Sequence, residues 1–163
     1  YKKAYFAKYT NIWHHGDYAE AKDSGGFVIY GRSDTTLNPG GVRLGTAEIY
    51  SEVEKFDEIK EALVVGQSWD NDIRIILFVV LESKYSLTEE LIIKIKKQIK
   101  KNASPRHVPY IIFPIKDIPK TKNGKIVELA VKQTIEGDQI KNLEALANPE
   151  SLNQFKNIKE LYK

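Results

Sequence analysis

The chain has 163 residues, and its 25 Lys and Arg residues against 22 Asp and Glu residues leave a formal net charge of only +3. This charge is too small to predict a nucleic-acid partner, so any basic function must come from local clustering. The absence of cysteine excludes disulfides, thiolate metal sites and thiol nucleophiles, and no apolar run approaches the roughly 18 residues that a membrane-spanning helix needs.

The first residues are rich in aromatic side chains and carry no signal-peptide pattern. Tyr5, Phe6, Tyr9 and Trp13 provide more aromatic surface than a free terminus is expected to carry. We therefore predict that this segment belongs to a larger domain that precedes the rest of the chain.

Two short strands are predicted after the first turn signal. Gly25-Gly26 marks a turn before a strand over residues 27–30, and residues 38–41, Asn-Pro-Gly-Gly, mark the next break. We expect two strands to pair across Thr35-Thr36 as a β-hairpin that opens the domain.

A helix and two buried strands follow this hairpin. Thr46 is a suitable N-cap for a helix over residues 47–56, where apolar residues recur at helical spacing. Residues 61–66 and 73–82 are β-branched runs separated by a polar turn at 69–72. These runs predict an antiparallel pair at the centre of the sheet.

The second half of the domain is predicted to alternate helices with a strand. Thr88 should cap an amphipathic helix over residues 89–102. Residues 110–115 indicate a strand at the sheet edge, because Pro114 cannot donate a ladder hydrogen bond.

The last predicted elements are helical. A helix over residues 127–135 should stop at Gly137, and the tail from about residue 138 is expected to be a helix-loop-helix with its turn at Asn148-Pro149. Taken together, the elements predict an α+β fold, with a small mixed β-sheet that has helices on its faces.

The loop of residues 118–126, IPKTKNGKI, places Lys120, Lys122 and Lys125 around Asn123-Gly124. The Asn-Gly pair favours a two-residue type I′ turn, and the lysines would keep its tip hydrated. This interpretation explains the turn but assigns no chemistry to the lysines.

A first polar cluster lies in WHHGDYAE, residues 13–20. By itself Asp17 is typical of a turn-former. A metal site is not expected, because the adjacent His14 and His15 rarely face one ion and His107 is the one further imidazole in the sequence.

A second cluster lies in the glycine-rich segment that follows. Arg32 and Asp34 bracket a bend, while Gly40 and Gly41 permit unusual backbone angles. Arg43 precedes the start of a helix, where an arginine and free N–H groups could both bind a phosphate. A loop with solvated arginines is an equally good interpretation, so these residues alone leave both open.

Five lysines lie close together on the long predicted helix: Lys94, Lys96, Lys97, Lys100 and Lys101. A solvated face opposite the isoleucine stripe is the expected reason. The alternatives are a membrane-surface helix or contact with an anionic ligand, and the second would make the chain a free-standing basic interaction module.

Three landmarks occur in a fixed order: HGD at residues 15–17, GRSD…GGVRLGTAEIY within residues 31–50, and IPKTKNGKI. Each is weak alone, but together and at these separations they resemble the carboxyl-terminal domain of the adenylate-forming acyl-CoA synthetase superfamily. The resemblance covers essentially the whole chain. The tail is similar to the branch that activates acetoacetate, because residues 127–129 replace the arginines usual in the acetate-activating branch.

The resemblance implies roles for five residues in the adenylating half of the reaction. Asp17 would hold the ribose hydroxyls of ATP, Arg32 would support the nucleotide near the ribose, and Arg43 would face the phosphates. Asp34 would be the hinge about which the small domain swings between an adenylating and a thioester-forming pose. Lys125 would be the catalytic lysine, which contacts carboxylate and α-phosphate oxygens during adenylation.

The resemblance also implies a coenzyme A site and a domain boundary. Gly40, Gly41 and Val42 would line the pantetheine tunnel in the thioester-forming pose, and Arg106 would contact the coenzyme A phosphates. Residues 1–33 would end the large nucleotide-binding domain. Residues 34–163 would form the mobile carboxyl-terminal lid domain.

The implied substrates are acetoacetate, ATP with Mg2+, and coenzyme A, with none bound tightly by this chain. The implied partner is its own large amino-terminal domain, with no nucleic acid and no membrane, in the cytoplasm. The family's Ser/Thr/Gly-rich phosphate loop and an acyl pocket are missing from the sequence. The chain alone is therefore expected to be inactive, and acetate or propionate stays open as the acid.

Overall fold

The computed structural model describes residues 2–33, 35–140 and 142–162. Its helices are α1 (Lys2–Tyr5), α2 (Thr46–Val53), α3 (Glu89–Asn102) and α4 (Glu128–Glu136). Its strands are β1 (Asp17–Ala21), β2 (Phe27–Arg32), β3 (Ile59–Trp69), β4 (Asp72–Leu81) and β5 (Ile111–Pro114). Short 3-10 helices cover Pro39–Gly41, Pro105–His107, Leu143–Ala145, Pro149–Phe155 and Lys159–Tyr162. No helix in these ranges is long and apolar enough to cross a membrane.

A two-stranded hairpin lies ahead of the main sheet. β1 and β2 pair antiparallel, and the Lys22 N–H donates to the Gly26 carbonyl (2.9 Å) at their turn. The expected pairing across Thr35-Thr36 is wrong, because the chain there forms an isolated bridge between Leu37 and Leu44. Both leucines are buried in the core of the main sheet, so this segment packs with the sheet instead of forming the predicted hairpin.

The main sheet has the strand order β3-β4-β5. β3 and β4 pair antiparallel through a tight turn at Asp70 and Asn71, both in the left-handed region (φ 48° and 58°). β5 pairs in parallel with β4 and lies at the edge. The predicted antiparallel pair, edge strand and mixed sheet are thus confirmed. β3 is longer than expected and lies at the other edge, so β4 alone is central.

Alternate residues of β3 and β4 supply two apolar layers, one on each face of the sheet. On one face, Leu63 and Phe78 pack with α4 and the tail. On the other face, Val64 and Leu77 pack with α2 and α3. The predicted α+β fold with helices on the faces of the sheet is confirmed.

Two helix starts show where local capping rules hold and where they fail. α3 has the predicted cap, because Thr88 Oγ1 accepts a hydrogen bond from the Leu91 N–H (3.2 Å). Thr46 is not an N-cap, since α2 begins at Thr46 itself and Gly45 is the cap. A Cβ at Gly45 would lie 2.6 Å from the Tyr30 carbonyl oxygen, so the close approach of β2 requires glycine there.

The tail contains three 3-10 helices rather than the expected helix-loop-helix. Asn157, in the left-handed region (φ 58°), separates the last two of them. Four apolar side chains of the tail are buried: Leu152, Phe155, Ile158 and Leu161. The Leu161 carbonyl also accepts hydrogen bonds from Arg74 Nη2 (2.6 Å) and Gln67 Nε2 (2.9 Å). Polar contacts and packing together therefore attach the tail to the sheet.

Candidate functional site

The hairpin brings Asp17 and Arg32 together. They are paired residues of β1 and β2, and Arg32 Nη1 lies 4.0 Å from Asp17 Oδ1. Arg32 Nη1 also donates to the His15 carbonyl (3.2 Å). Gly16 has a φ of +93°, and a Cβ there would lie 3.0 Å from Arg32 Nη2. Glycine at this position therefore lets the guanidinium lie directly beside the turn that carries Asp17.

The two adjacent histidines have different neighbours. His15 donates from Nδ1 to Asp17 Oδ2 (2.5 Å), whereas the His14 ring packs edge-on against Tyr9 with a centroid distance of 5.7 Å. Sequence reasoning did not predict the contact between His15 and Asp17. Its spacing of two residues across Gly16 is the signal that could have indicated it.

Arg43 reaches the same hairpin by a separate contact. Its guanidinium lies 5.2 Å from the centre of the Tyr18 ring, a cation–π arrangement. Because neighbouring side chains of a strand point to opposite faces, Arg43 lies across β1 from Asp17. The predicted hinge residue, Asp34, lies outside the described residues.

The glycine loop of residues 38–42 is attached to the turn that follows β3. The Gly40 N–H donates to both carboxylate oxygens of Asp72 (2.8 and 3.0 Å). Gly40 and Gly41 are both in the left-handed region (φ 57° and 75°), and Val42 is 37% exposed. Sequence reasoning missed Asp72 because it lies 32 residues from its partner.

Asp72 is held in its charged form. Hydrogen bonds from the Ile73 N–H (2.7 Å) and then from the Gly40 N–H lower the pKa of the Asp72 carboxyl below its usual 3.8. A carboxyl group whose pKa is lower in the folded state stabilises the fold at pH values above its unfolded pKa. This contribution is lost as the pH falls through the folded-state pKa. The carboxylate therefore holds the loop throughout the neutral range.

Arg106 lies beside the glycine loop, so the predicted coenzyme A residues are neighbours in space. A Cβ at Gly40 would lie 3.3 Å from Arg106 Nη1. The backbone of Arg106 is held by Ser104, whose Oγ accepts from the Arg106 N–H (3.2 Å). The adjacent His107 is buried and lies 2.6 Å from Glu48 Oε2 through its Nε2. Through these contacts, the backbone around Arg106 is attached to the first turn of α2.

Lys125 lies on an exposed turn whose geometry differs from the predicted type I′ turn. The Gly124 N–H donates to the Thr121 carbonyl, and the Thr121 N–H donates to the Lys125 carbonyl (both 2.8 Å). Within the loop, Gly124 alone has a positive φ, of 76°. The turn covers residues 121–124, and its last residue, the left-handed Gly124, completes a three-residue loop between Thr121 and Lys125. A type I′ turn would instead need two positive φ angles.

The lysines of this loop have different surroundings. Lys120, half-buried, forms an ion pair of 2.5 Å with Glu61, so it does not serve only to hydrate the tip. Lys122 and Lys125 are exposed, and neither side chain makes a hydrogen bond or ion pair within the described residues. Lys122 and Lys125 are therefore the two cations of this loop that remain available to a ligand.

Two of the five lysines on α3 are engaged locally. Lys96 Nζ donates to the Tyr110 carbonyl (2.9 Å), and Lys94 pairs with Glu90 at 2.8 Å. Lys94 and Glu90 are one helical turn apart, the usual spacing of a solvated surface pair. The Lys94–Glu90 pair fits the interpretation of this stretch as a solvated face, whereas Lys96 contacts the segment that leads into β5.

Comparison with known proteins gives one consistent family. Residues 48–125 match the family model of the AMP-binding enzyme C-terminal domain. The chain is 56% identical over 161 residues to an acetoacetyl-coenzyme A synthetase of Rhizobium meliloti, covering 99% of this chain and 25% of the relative. It is 48% identical over 163 residues to the acetoacetyl-CoA synthetase of Xenopus tropicalis, covering 99% and 24%.

A solved structure agrees over the full length of the chain. The acetoacetyl-CoA synthetase from Streptomyces lividans superposes with a TM-score of 0.89 at 36% identity, covering 100% of this chain and 25% of that protein. The chain thus spans about a quarter of the length of the curated relatives it matches. It belongs to the adenylate-forming acyl-CoA synthetase superfamily, in which it corresponds to the carboxyl-terminal domain of acetoacetyl-CoA synthetases.

Proposed function

We propose that the chain is part of an acetoacetyl-CoA synthetase, in which residues 1–33 end the large nucleotide-binding domain and residues 34–163 form a mobile lid. In the first half-reaction, acetoacetate and ATP give acetoacetyl-adenylate and pyrophosphate. In the second, the thiol of coenzyme A displaces AMP to give acetoacetyl-CoA. Mg2+ enters with ATP as part of that substrate.

One observation carries this proposal: the two loops with implied chemistry lie at opposite ends of β3. The lysine loop is attached near its start, where Lys120 pairs with Glu61. The glycine loop is attached just beyond its end, where Gly40 bonds to Asp72. The eight residue-to-residue steps from Glu61 to Trp69 span roughly 26 Å at about 3.3 Å per step. Attachment points at opposite ends of this strand support a domain that presents each loop to the reaction centre in turn.

In the adenylating pose, Lys125 would meet the charge that develops between the acid and the α-phosphate. An exposed loop suits this role, because the amine must enter the centre for one half-reaction and leave it for the other. Asp17 would accept hydrogen bonds from the ribose hydroxyls, and Arg32 beside it would support the nucleotide. Arg43, on the other side of β1, would reach the phosphates, and Asp34 would be the hinge.

In the thioester-forming pose, the glycine loop would line the passage for pantetheine. Gly40, Gly41 and Val42 leave little side-chain bulk there, and Arg106 beside Gly40 offers a cation for the coenzyme A phosphates. In the proposed enzyme these side chains act together with the large amino-terminal domain. A place in the cytoplasm, in ketone-body and lipid metabolism, belongs to the same proposal.

The proposal is tested with the full-length enzyme and a panel of acids. We expect the highest kcat/KM with acetoacetate, because the curated relatives are named for that acid, and lower values with acetate and propionate. The chain of 163 residues, assayed alone, should release no pyrophosphate. A preference for acetate or propionate would assign the protein to another branch of the family.

The attachment of the glycine loop gives a second expected result. In the full-length enzyme, Asp72→Ala removes both acceptors of the Gly40 N–H, so the loop should lose its position. We expect thioester formation from supplied adenylate to slow about 10- to 100-fold, since small misplacements have such effects. Adenylate formation should change by less than about twofold, because this loop would lie away from the centre during that step.

A matched control is Asp138→Ala, another exposed aspartate whose side chain makes no hydrogen bond or ion pair in the described part of the chain. Both half-reactions should keep their rates in this variant. Equal loss of both half-reactions in Asp72→Ala would show that the aspartate serves the fold as a whole rather than the glycine loop.

A further inference from the structure

The tail forms a row of contacts along one arm of the lysine loop. The Lys122 N–H donates to the Ala145 carbonyl (3.2 Å), and the Ala147 N–H donates to the Lys120 carbonyl (2.8 Å). Between them, Thr121 and Leu146 form an antiparallel bridge. The tail thus pairs with the arm of the loop that precedes the turn. This tail lies beyond residue 125, where the match to the family model ends.

Asn148 continues this row with its side chain. Its Oδ1 accepts from the Lys120 N–H (2.8 Å), and its Nδ2 donates to the Ile118 carbonyl (2.9 Å) and to Asp117 Oδ2 (2.6 Å). One amide therefore satisfies a backbone donor and a backbone acceptor at the base of the loop. These three bonds also fix the orientation of the amide, because its oxygen and nitrogen have different partners.

Asn148 is itself held in place by the tail. Its carbonyl accepts from the Ser151 N–H (3.0 Å) and from Ser151 Oγ (2.7 Å). Gln154 extends the contact, since it accepts from the Lys116 N–H (2.8 Å) and donates to the Asp117 carbonyl (2.6 Å). Leu152 and Phe155, between and beside these residues, are buried in the core. The side-chain amide of Asn148 therefore belongs to a well-packed segment.

The arm that the tail holds is the arm that holds Lys125. The Thr121 N–H donates to the Lys125 carbonyl (2.8 Å), and the Lys125 N–H donates to Thr121 Oγ1 (3.1 Å). Lys120 and Ile126 form a bridge across the loop. The backbone of Lys125 is therefore positioned through Thr121 and Lys120, the residues that contact Leu146 and Asn148.

We propose that Asn148 is a positioning residue for Lys125, and that the tail of residues 142–162 is a rigid support for the adenylation loop. This inference rests on the proposed function of Lys125. A long exposed cation that must reach a developing charge gains from a fixed backbone, because fewer conformations have to be lost on docking. The tail keeps the backbone of the loop fixed within the small domain, whichever pose the domain adopts.

The experiment compares Asn148→Ala with Asn153→Ala in the full-length enzyme. Asn153 is exposed on the same tail, and its side chain accepts from Lys156 Nζ (2.9 Å) without reaching the loop. We expect adenylate formation to fall about 10- to 100-fold in Asn148→Ala, with thioester formation from supplied adenylate unchanged. Asn153→Ala should leave both half-reactions unchanged.

Trypsin provides a readout that does not depend on activity. Cleavage after Lys122 or Lys125 should be roughly fivefold faster in Asn148→Ala than in Asn153→Ala, because loss of these bonds raises the open population of the loop. If Asn148→Ala fails to fold, Gln154→Ala decides, with the same selective loss at a smaller magnitude. Unchanged cleavage, or equal loss of both half-reactions, would overturn the proposal that the tail supports the loop. If Lys125→Ala itself leaves adenylation intact, the proposed function fails instead.

Discussion

Lys125→Ala in the full-length enzyme is expected to slow adenylate formation by about 10²- to 10³-fold, or about 2.7 to 4 kcal/mol of transition-state stabilisation. The amine would provide a preorganised charge at the centre where negative charge builds during transfer of the nucleotide. Thioester formation from supplied adenylate should keep its rate, because the lysine would have left the centre in that pose.

The surroundings of Lys125 make this substitution clean to interpret. The side chain is exposed, and its backbone bonds to Thr121 do not require the amine. Alanine therefore removes the charge while the turn at Gly124 can persist. Lys125→Arg keeps a cation but changes its shape and reach, so we expect it to recover only part of the lost rate.

Lys122→Ala is the matched control for this prediction. It removes an exposed lysine from the same loop, while its backbone N–H can still donate to Ala145. Both half-reactions should be measured separately, with pyrophosphate release for the first and AMP release from supplied adenylate for the second. Comparable effects of Lys122→Ala and Lys125→Ala would argue for a general electrostatic role of the loop and against one catalytic lysine.

Phe155→Ala should lower the free energy of unfolding of the chain by about 3 to 5 kcal/mol, the usual cost of removing a buried phenyl ring. Phe155 is fully buried, and its ring meets Phe78 edge-on with a centroid distance of 4.9 Å. Phe78 lies in the middle of the central strand β4. The tail would therefore lose its main apolar anchor and leave a cavity against the sheet.

Urea denaturation of the chain, followed by circular dichroism, measures this loss, and Phe27→Ala is the matched control. Phe27 is 74% exposed on β2, so the same substitution there should change the free energy of unfolding by no more than about 0.5 kcal/mol. Similar midpoints for the two variants would mean that the tail does not contribute to the cooperative core. A selective loss in Phe155→Ala would support the tail as an integral layer of the domain.

The sequence by itself determined the elements whose signals are local and periodic. The β-branched runs around Val64 and Leu77 predicted the antiparallel pair β3 and β4, because β-branched side chains favour the pleated surface of a buried strand. Thr88 predicted the start of α3, and Gly137 predicted the end of α4, since a cap acts on groups within one turn. The order of the three landmarks was likewise sufficient to indicate the family.

Only the tertiary structure decided which segments meet across long separations. β2 pairs with β1 rather than across Thr35-Thr36, because burial of Leu37 and Leu44 against the sheet competes with that pairing. Gly45 replaces Thr46 as the helix cap since β2 passes too close for any other residue.

The supports of the candidate sites had no signal in the sequence. Asp72 meets Gly40 over 32 residues, and Asn148 meets Lys120 over 28 residues. A single polar side chain that bonds a distant backbone group leaves no periodicity and no local propensity, so its partner is set by the packing of the segments that carry them. The residues proposed to carry the chemistry lie in motifs that the sequence shows, while the residues that hold their loops became visible only in the fold.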